Sequence, residues 1–397
     1  MFRRHYRIVC GGWLIAIVLI GGAYATASEQ ATLPDPEQAG PYPVGVTTVL
    51  FEDHSRPMRW PKGPRPLLTD IWYPATDDTR DIPKQGLLDT YLACVPKPLF
   101  AIIESLVDVD LKEFDKKTEF FARREARVRE GVFPLIVFSH GSAASRIQSI
   151  FWCEHMASHG YVVMAPDHTG NAIITFVDGK PILYDKTAQK EVSAKRRPQD
   201  VSFMIDVMDR MNKGADSRFM GRIDMDHIGV AGHSFGGYTS VAAADSEPRV
   251  DAIAPMAGLW VERTNYACPV LVLDAAEDRI IHKYLRKQER DYKSMRRYWE
   301  ESKGPRYYVA FRNGGHFTFT EIFQFVPDFG DGIGTGERVT NGEPLDYAPM
   351  DVVYPLINGY TTAFFGRYLK GQQGYDVYLS ENHNPEELTY EWSVPAE

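Results

Sequence analysis

Short apolar runs alternate along this chain with longer segments in which apolar residues recur at helical spacing. Four of these runs, at 134–139, 161–165, 268–274 and 306–312, are dominated by apolar residues. Runs of this length are typical of strands that are buried on both faces of a parallel sheet. Helical segments such as 198–208 lie between them. The alternation predicts an α/β fold in which a mostly parallel central sheet is flanked by helices.

The length and composition fit one large domain. The chain has 397 residues, of which 44% are hydrophobic and 24% are charged, so it can bury one sizeable core. We predict a single elaborated domain over 40–371, ending in a helix at 361–371. The segment 372–397 is expected to be a C-terminal tail.

Two segments are longer than a connection between strands requires. The segment 74–131 contains an apolar helical stretch at 98–107 and a charged helical stretch at 114–129. We predict that it forms a cap or lid, whose apolar face contacts substrate acyl groups or a membrane surface. Packing against the body of the domain is the alternative. A second insertion, at 175–197, is expected at the edge of the cleft.

The first 27 residues have the pattern of a targeting segment. Three arginines precede an apolar run at 8–23, and small residues alternate at 23–27. This pattern predicts a signal peptide over 1–27 and export to the periplasm or the exterior, with an uncleaved membrane anchor as the alternative. Cleavage would change the net charge from −9 to −12, because the segment carries three arginines and no acid. Such an acidic protein has no electrostatic reason to bind nucleic acid.

The segment 232–237 reads Gly-His-Ser-Phe-Gly-Gly and lies between an apolar run and a stretch of small residues at helical spacing. This context is the one that a nucleophile elbow requires, with a sharp turn from strand to helix that exposes a serine hydroxyl. Glycines two positions before and after the serine are needed because a Cβ atom there would collide with neighbouring backbone. We therefore predict that Ser234 is a catalytic nucleophile.

A serine nucleophile needs a base and an acid that orients the base. Asp278 follows the predicted strand 268–274, so we predict it as the acid, with Asp274 and Glu277 as rivals. His316 follows the predicted strand 306–312 and two glycines that let the loop bend back over the sheet. We predict His316 as the base.

Acyl transfer also needs two hydrogen-bond donors aimed at the oxyanion that forms in the transition state. One is expected to be the backbone N–H of Phe235, the residue after the nucleophile. The second is expected from the loop after the strand 134–139, where Gly141 allows close approach and Ser142 supplies the amide. A simple strand-to-helix turn is the alternative for this loop.

Other histidines have structural interpretations. His233 lies inside the elbow and is expected to pack away from substrate. His155 and His159 lie four residues apart on a predicted helix, but no third metal ligand is evident, so we predict no metal site. His168 follows a strand, and we favour packing in the core or at the rim of the cleft over direct catalysis.

The glycine-rich segment 328–336 resembles a phosphate loop only superficially. It follows no clear strand and opens no helix, so a flexible connection is expected. Three cysteines lie beyond the predicted signal, which allows one disulfide at most. Cys153 and Cys268 are expected to be buried free thiols, and Cys94 is the third.

Several segments together resemble the α/β-hydrolase superfamily. Within it, the chain is similar to the platelet-activating-factor acetylhydrolases and their bacterial relatives, often described as dienelactone hydrolases, and shares much with secreted cutinase-like polyester hydrolases. The resemblance extends with gaps from about Gly40 to Gly371 and is strongest in the following segments: 71–75, 134–142, 157–163, 232–237, 314–317 and 361–371. It implies serine-esterase chemistry.

Two departures qualify this resemblance. True dienelactone hydrolases use a cysteine nucleophile, whereas this chain has Ser234. Animal acetylhydrolases carry the acid one strand earlier, in the region matching 254–258, where this chain has no acid. The resemblance to the cutinase-like group therefore implies Asp278.

The sequence predicts a serine esterase that needs no cofactor and acts on a small-molecule or lipid ester. A short acyl group, as in a platelet-activating-factor-like phospholipid, is the preferred substrate. A polyester or cutin-type hydrolase or a lipase is the alternative enzyme, and the same triad could serve an amidase. A non-catalytic binding module with this fold is the alternative of a different class.

Overall fold

The computed structural model describes residues 33–58, 62–107, 109–185, 194–261, 267–287, 291–321 and 330–395. The chain divides into two units, Met1–Leu33 and Pro34–Glu397, and all elements described below belong to the second. The predicted signal segment 1–27 lies outside the described residues. Within the described ranges, no helix is both long enough and apolar enough to cross a membrane.

Strands and helices alternate through most of the second unit. In chain order the strands are β1 Val44–Met58, β2 Gly63–Pro74, β3 Ala122–Arg124, β4 Phe133–Ser139, β5 Val162–Pro166, β6 Ile174–Val177, β7 Lys180–Leu183, β8 Ile223–His233, β9 Val250–Met256, β10 Leu259–Trp260, β11 Val270–Ala275, β12 Lys293–Ser294, β13 Arg306–Phe311, β14 Thr335–Glu337, β15 Pro344–Asp346 and β16 Leu388–Ser393. The α-helices are α1 Leu87–Thr90, α2 Phe100–Val107, α3 Leu111–Lys117, α4 Ile150–Ser158, α5 Ala194–Arg210, α6 Phe235–Ser246, α7 Arg279–Lys287, α8 Met295–Glu301 and α9 Met350–Leu369.

One large sheet organises these elements. Its described strands follow the order β16-β13-β11-β9-β8-β4-β5-β2-β1-β3. The strands from β13 to β5 are parallel to one another, whereas β16 and β2 run antiparallel to their neighbours. The predicted mostly parallel sheet is therefore confirmed. The carboxyl ends of the parallel strands meet at one edge, where ligand sites form in open α/β sheets.

Helices cover both faces of the sheet, as the apolar runs predict. Every residue of β4 is buried, and successive side chains of a strand point to opposite faces. Val137 belongs to the apolar cluster that includes Val201 and Met204 of α5. The ring of the next residue, Phe138, instead lies 5.2 Å from that of Trp152 on α4. The continuous apolar run thus reflects a strand that is buried on both sides.

The four strands predicted from apolar runs are present as β4, β5, β11 and β13, with small shifts at their ends. The predicted charged helix at 114–129 is wrong. Helix α3 ends at Lys117, and Ala122–Arg124 pairs in parallel with β1. Glu125 then has a φ of 55°, which a right-handed helix does not permit. Edge pairing has overridden a helical charge pattern here.

The C-terminal segment is part of the sheet. Strand β16 pairs antiparallel with β13 along its whole length, so the sheet extends beyond the predicted domain limit at Gly371. The final helix also begins earlier than predicted, at Met350, and Pro355 lies within its second turn. Pro355 has no N–H to donate to the carbonyl oxygen of residue 351, so one intrahelical hydrogen bond is missing at this turn.

The described part of 74–131 packs against the β1 edge of the sheet and against α4. Glu154 of α4 is 2% exposed and accepts hydrogen bonds from the Tyr91 hydroxyl at 2.5 Å and from the amides of Phe121 and Ala122 at 2.8 and 2.9 Å. The hydroxyl of Tyr91 also accepts a hydrogen bond from the Trp72 indole. The Glu154 carboxylate therefore joins two parts of the insertion, at Tyr91 and at 121–122, and Tyr91 links them to Trp72 in β2. The contact between the insertion 74–131 and substrate stays a prediction.

The cysteines behave as free thiols in the described residues. Cys153 and Cys268 are buried and Cys94 is exposed, and none of the three forms a disulfide. Burial raises the pKa of the Cys268 thiol to about 12. The expectation of buried free thiols at these two positions is confirmed.

Replacing the buried carboxylate should destabilise the protein strongly. We expect Glu154→Leu to lower the free energy of unfolding by about 3 kcal/mol, because two backbone amides and the Tyr91 hydroxyl lose their acceptor. Urea denaturation followed by circular dichroism measures the change.

The same substitution at an exposed site is the control. Glu119 lies on the surface, where it pairs with Lys84. Glu119→Leu should change the free energy of unfolding by less than about 0.5 kcal/mol. Equal effects of the two substitutions would show that Glu154 does not anchor the insertion.

Candidate active site

Ser234 lies at the turn between β8 and α6, at the carboxyl edge of the sheet. Its φ of 57° and ψ of −115° are unfavourable for a residue with a side chain. The turn is held in place because the Ser234 amide donates to the carbonyl oxygen of Met256, the last residue of β9, at 2.8 Å. This strained geometry is that of the predicted nucleophile elbow.

The glycines of the elbow are required by a close approach of β4. A Cβ atom on Gly236 would overlap the carbonyl oxygen of Ser139, and one on Gly232 would lie 2.6 Å from the same oxygen. Both positions would bring the Cβ atom closer than 3.0 Å to the oxygen, which non-bonded carbon and oxygen atoms do not reach. The steric reason given for these glycines from the sequence is therefore confirmed. The colliding groups are the Ser139 carbonyl of the neighbouring strand and, for Gly232, also the carbonyl of Gly236 at the start of α6.

Three side chains from three loops form one hydrogen-bonded line. The Nε2 atom of His316 lies 2.9 Å from the Ser234 hydroxyl, and Nδ1 lies 2.7 Å from a carboxylate oxygen of Asp278. Since a carboxylate only accepts, Nδ1 carries a proton and Nε2 is left to accept from the serine. The structure thus brings together the nucleophile, base and acid that the sequence predicts.

The surroundings of His316 favour its protonated form. Burial by itself disfavours the cation, but the charge and hydrogen bond of Asp278, together with the charges of Asp331 and Asp274, outweigh burial and raise the pKa of His316 above its usual value. Asp278 is only 1% exposed, and its second oxygen accepts from the amide of Ile281 at 2.7 Å. The first turn of α7 therefore fixes the carboxylate that orients the imidazole.

The two rival acids have other partners. Asp274, at the end of β11, accepts from the Tyr308 hydroxyl at 3.0 Å, and burial and the nearby charge of Asp278 raise its pKa to about 6. Glu277 binds the guanidinium of Arg338 at 2.8 Å. Of the three carboxylates left open by the sequence, Asp278 is the one that contacts the imidazole.

A further carboxylate near His316 was not predicted. Asp331 accepts hydrogen bonds from the amides of His316 and Arg279, both at 3.0 Å. It thereby ties the segment carrying the base to the start of α7. Asp331 belongs to the glycine-rich segment 328–336, which was expected to be a flexible connection. Its distance of 15 residues from His316 along the chain leaves no local signal of this contact.

The two predicted oxyanion donors lie in segments adjacent to the nucleophile. A Cβ atom on Gly141 would lie 3.5 Å from the Cβ of Ser234, so the loop after β4 passes directly beside the serine. Ser142 is the next residue in this loop. Phe235 is the first residue of α6, where amides have no acceptor within the helix. The backbone there can serve a ligand oxygen.

A buried chain of hydrogen bonds connects this loop to the backbone of His316. The Gly141 amide donates to Oε1 of Gln148 at 2.6 Å, and the Gln148 amide group donates to Nδ1 of His233 at 2.5 Å. Nε2 of His233 in turn donates to the carbonyl oxygen of His316 at 2.7 Å. Burial and the neighbouring imidazole lower the pKa of His233 well below its usual value, so it is neutral. His233 therefore links two loops, a role that packing alone does not describe.

The other histidines considered in the sequence, at 155, 159 and 168, bond to backbone carbonyl oxygens or to buried side chains outside the site. His168 is fully buried between the Ser139 hydroxyl at 2.9 Å and Asp200 at 2.8 Å. The rings of His155 and His159 bond to backbone carbonyl oxygens of residues 36 and 38, at 3.0 and 2.8 Å. None of these contacts involves the Ser234 side chain.

The sheet order, the elbow at its centre and the loops that meet there define an α/β-hydrolase. Comparison with known families agrees with this class. A family model described as PET hydrolase-like matches residues 128–326, and the model for platelet-activating factor acetylhydrolase, isoform II, matches residues 25–213. The first model covers half of the chain, which therefore belongs to the PET hydrolase-like family.

Individual relatives point to the same chemistry. The chain is 24% identical to platelet-activating factor acetylhydrolase of Cavia porcellus over 91% of its own length and 84% of the relative's. The bovine (Bos taurus) protein of the same name is 28% identical over 54% of this chain and 52% of its own. A solved structure of ferulic acid esterase from Streptomyces cinnamoneus aligns with a TM-score of 0.64 and 26% identity, covering 83% of this chain and 91% of that one.

These relatives identify the protein as a carboxylic ester hydrolase of the acetylhydrolase-like group. The resemblance read from the sequence motifs is thus confirmed at the level of family and reaction class.

The elbow glycine provides a stability test. We expect Gly236→Ala to lower the free energy of unfolding by more than about 3 kcal/mol, because the new methyl group overlaps the Ser139 carbonyl and β4 has to move. Gly371→Ala is the matched control, since Gly371 has a φ of 65° but open space around it. That control should cost about 1 kcal/mol of backbone strain. Similar losses in a thermal or urea melt would contradict the steric account.

Proposed function

We propose that the protein is a serine esterase in which Ser234 attacks the ester carbonyl carbon. As the Oγ–carbon bond forms, the hydroxyl proton passes to Nε2 of His316, and Asp278 holds the imidazole in the required orientation. The carbonyl oxygen becomes an oxyanion, which the amides of Phe235 and Ser142 stabilise.

The second half of the cycle reverses these roles. The tetrahedral intermediate collapses, the alcohol takes the proton from His316, and an acyl group remains on Ser234. Water then attacks the acyl carbon while His316 accepts its proton. The bond between the acyl carbon and Oγ breaks, His316 returns the proton to Ser234, and the carboxylic acid leaves. Both steps are acyl transfers that balance through one proton, so no cofactor is needed.

One observation carries this proposal. The hydroxyl, imidazole and carboxylate are aligned at 2.9 and 2.7 Å, at the carboxyl ends of β8, β11 and β13. Distances of this kind allow a proton to move from the serine without a prior conformational change. A binding module would have no need of the strained backbone at Ser234.

For the substrate we propose a carboxylic ester with a short acyl group, such as a platelet-activating-factor-like phospholipid. Support comes from the acetylhydrolase relative, which aligns with most of the chain. A second candidate is an aromatic or polyester substrate. The PET hydrolase-like model and the ferulic acid esterase neighbour favour it.

An acyl-length series tests the proposal. We expect hydrolysis of p-nitrophenyl esters with a maximum at two to four carbons, and loss of turnover by at least about 10⁴-fold in Ser234→Ala, which removes the nucleophile. Release of p-nitrophenol measures both. Methyl ferulate and polyethylene terephthalate particles, assayed alongside, measure the second candidate directly.

Ser240→Ala is the control for the serine substitution. Ser240 lies in the second turn of α6 and donates to the carbonyl oxygen of Gly236 rather than to His316. The Ser240→Ala variant should keep the turnover of the native protein. Full activity in Ser234→Ala would overturn the mechanism, and a maximum on long acyl chains or on ferulate would overturn the substrate assignment.

Substitution of the acid should change both rate and pH dependence. We expect Asp278→Asn to lower kcat/KM by about 10⁴-fold, because the amide no longer holds Nε2 as an acceptor. In the native protein Asp278 raises the pKa of His316, so the acidic limb of the kcat/KM profile should lie above pH 6.5. With that charge removed, burial dominates and the limb should move to lower pH.

Asp274→Asn is the matched control. Of the charges of Asp278, Asp331 and Asp274, which raise the pKa of His316, that of Asp274 contributes the least. The Asp274 carboxylate binds the Tyr308 hydroxyl and not the imidazole. We expect kcat/KM within about tenfold of the native value and an acidic limb that barely moves. A larger loss in Asp274→Asn than in Asp278→Asn would reverse the assignment of the acid.

A further inference from the structure

A buried arginine lies directly behind the proposed oxyanion donors. Arg197, in the first turn of α5, has no exposed surface. Its guanidinium donates to the carbonyl oxygens of His140 and Gly141, the latter at 3.0 Å, and to the side chain of Asn171. The ring of Phe235 lies 4.6 Å from its central carbon. One side chain thus contacts both segments that flank Ser234.

The charge of Arg197 is directed at backbone dipoles. The nearby carboxylate of Asp200 is bonded to Arg56 and Arg65, at 2.8 and 2.7 Å, and to His168. Burial lowers the pKa of Arg197 to about 9, which still leaves it a cation at neutral pH. A buried cation held by carbonyl oxygens polarises the peptide groups that it contacts.

We propose that Arg197 is a positioning residue of the oxyanion hole. The proposal rests on the function proposed above. The carbonyl of Gly141 and the amide of Ser142 belong to one planar peptide unit, so fixing the direction of the C=O group also fixes that of the N–H group. Withdrawing electron density at the carbonyl oxygen strengthens the N–H group as a donor.

The second proposed donor is held by the same group. The aromatic ring of Phe235 packs against the guanidinium, and a cation over a ring at this distance is attractive. The ring and the amide belong to one residue at the start of α6. Arg197 therefore fixes the Phe235 and Ser142 amides relative to each other, and it does so from behind, since it is closed off from substrate.

This role predicts a particular kinetic signature. The oxyanion exists in the transition state and not in the bound ester, so poorly aimed donors lower kcat and leave KM nearly unchanged. Arg197→Met should lower kcat by about 100-fold, and Arg197→Lys, which keeps the charge but not the fork, by about 10-fold. KM for p-nitrophenyl acetate should stay within about threefold in both.

A transition-state analogue distinguishes misorientation of the oxyanion donors from a general disturbance of the active-site structure. A trifluoromethyl ketone adds the serine oxygen and forms a hemiketal oxyanion, so its inhibition constant should rise by the same factor by which kcat/KM falls. Arg65→Met is the matched control, because Arg65 is also buried and bonded to Asp200 but does not touch either donor segment. It should lose stability while keeping kcat.

The outcomes separate the two proposals. Native kcat in either folded Arg197 variant, a loss confined to KM, or an equal fall of kcat in Arg65→Met would overturn the role of Arg197. If Arg197→Met does not fold, the lysine variant decides by the same criteria. Retained turnover in Ser234→Ala would instead overturn the proposed function, whatever the arginine variants do.

Discussion

The close approach of β4 to the elbow is the constraint on which the rest of the site depends. The carbonyl oxygen of Ser139 fills the space that side chains at 232 and 236 would need. With glycine at both positions, β8 can turn into α6 directly beside β4. Ser234 is then forced into a left-handed backbone state, and its hydroxyl stands above the sheet within reach of His316. A strained serine is thus the consequence of tight packing between two central strands.

Around this turn, buried polar contacts hold the loops of the carboxyl edge in one arrangement. Gln148 and His233 join the loop after β4 to the loop of the base. Asp331 fixes the backbone of His316, and Arg197 braces the loop after β4 from behind. Since unpaired buried polar groups are costly, each connection also penalises alternative loop positions. Preorganisation of this kind is what electrostatic catalysis requires.

The sequence predicted the groups that carry a local signature. Ser234 has its glycines, while Asp278 and His316 follow apolar strands that periodicity identifies. Groups defined by contacts between distant segments had no such signal: Gln148, Asp331 and Arg197 gain their roles only when loops far apart in the chain meet. The false helix at 114–129 has the same origin, because edge pairing of β3 and the buried Glu154 outweigh a local charge pattern.

Covalent labelling of the native protein tests whether Ser234 is the nucleophile. The native protein would be treated with a fluorophosphonate near neutral pH, and the adduct would be located by peptide mass spectrometry. We predict a single adduct on Ser234, formed much more slowly in His316→Asn, which lacks the base. No adduct, or an adduct at another serine with Ser234 unmodified, would contradict the proposal that this elbow is the nucleophile.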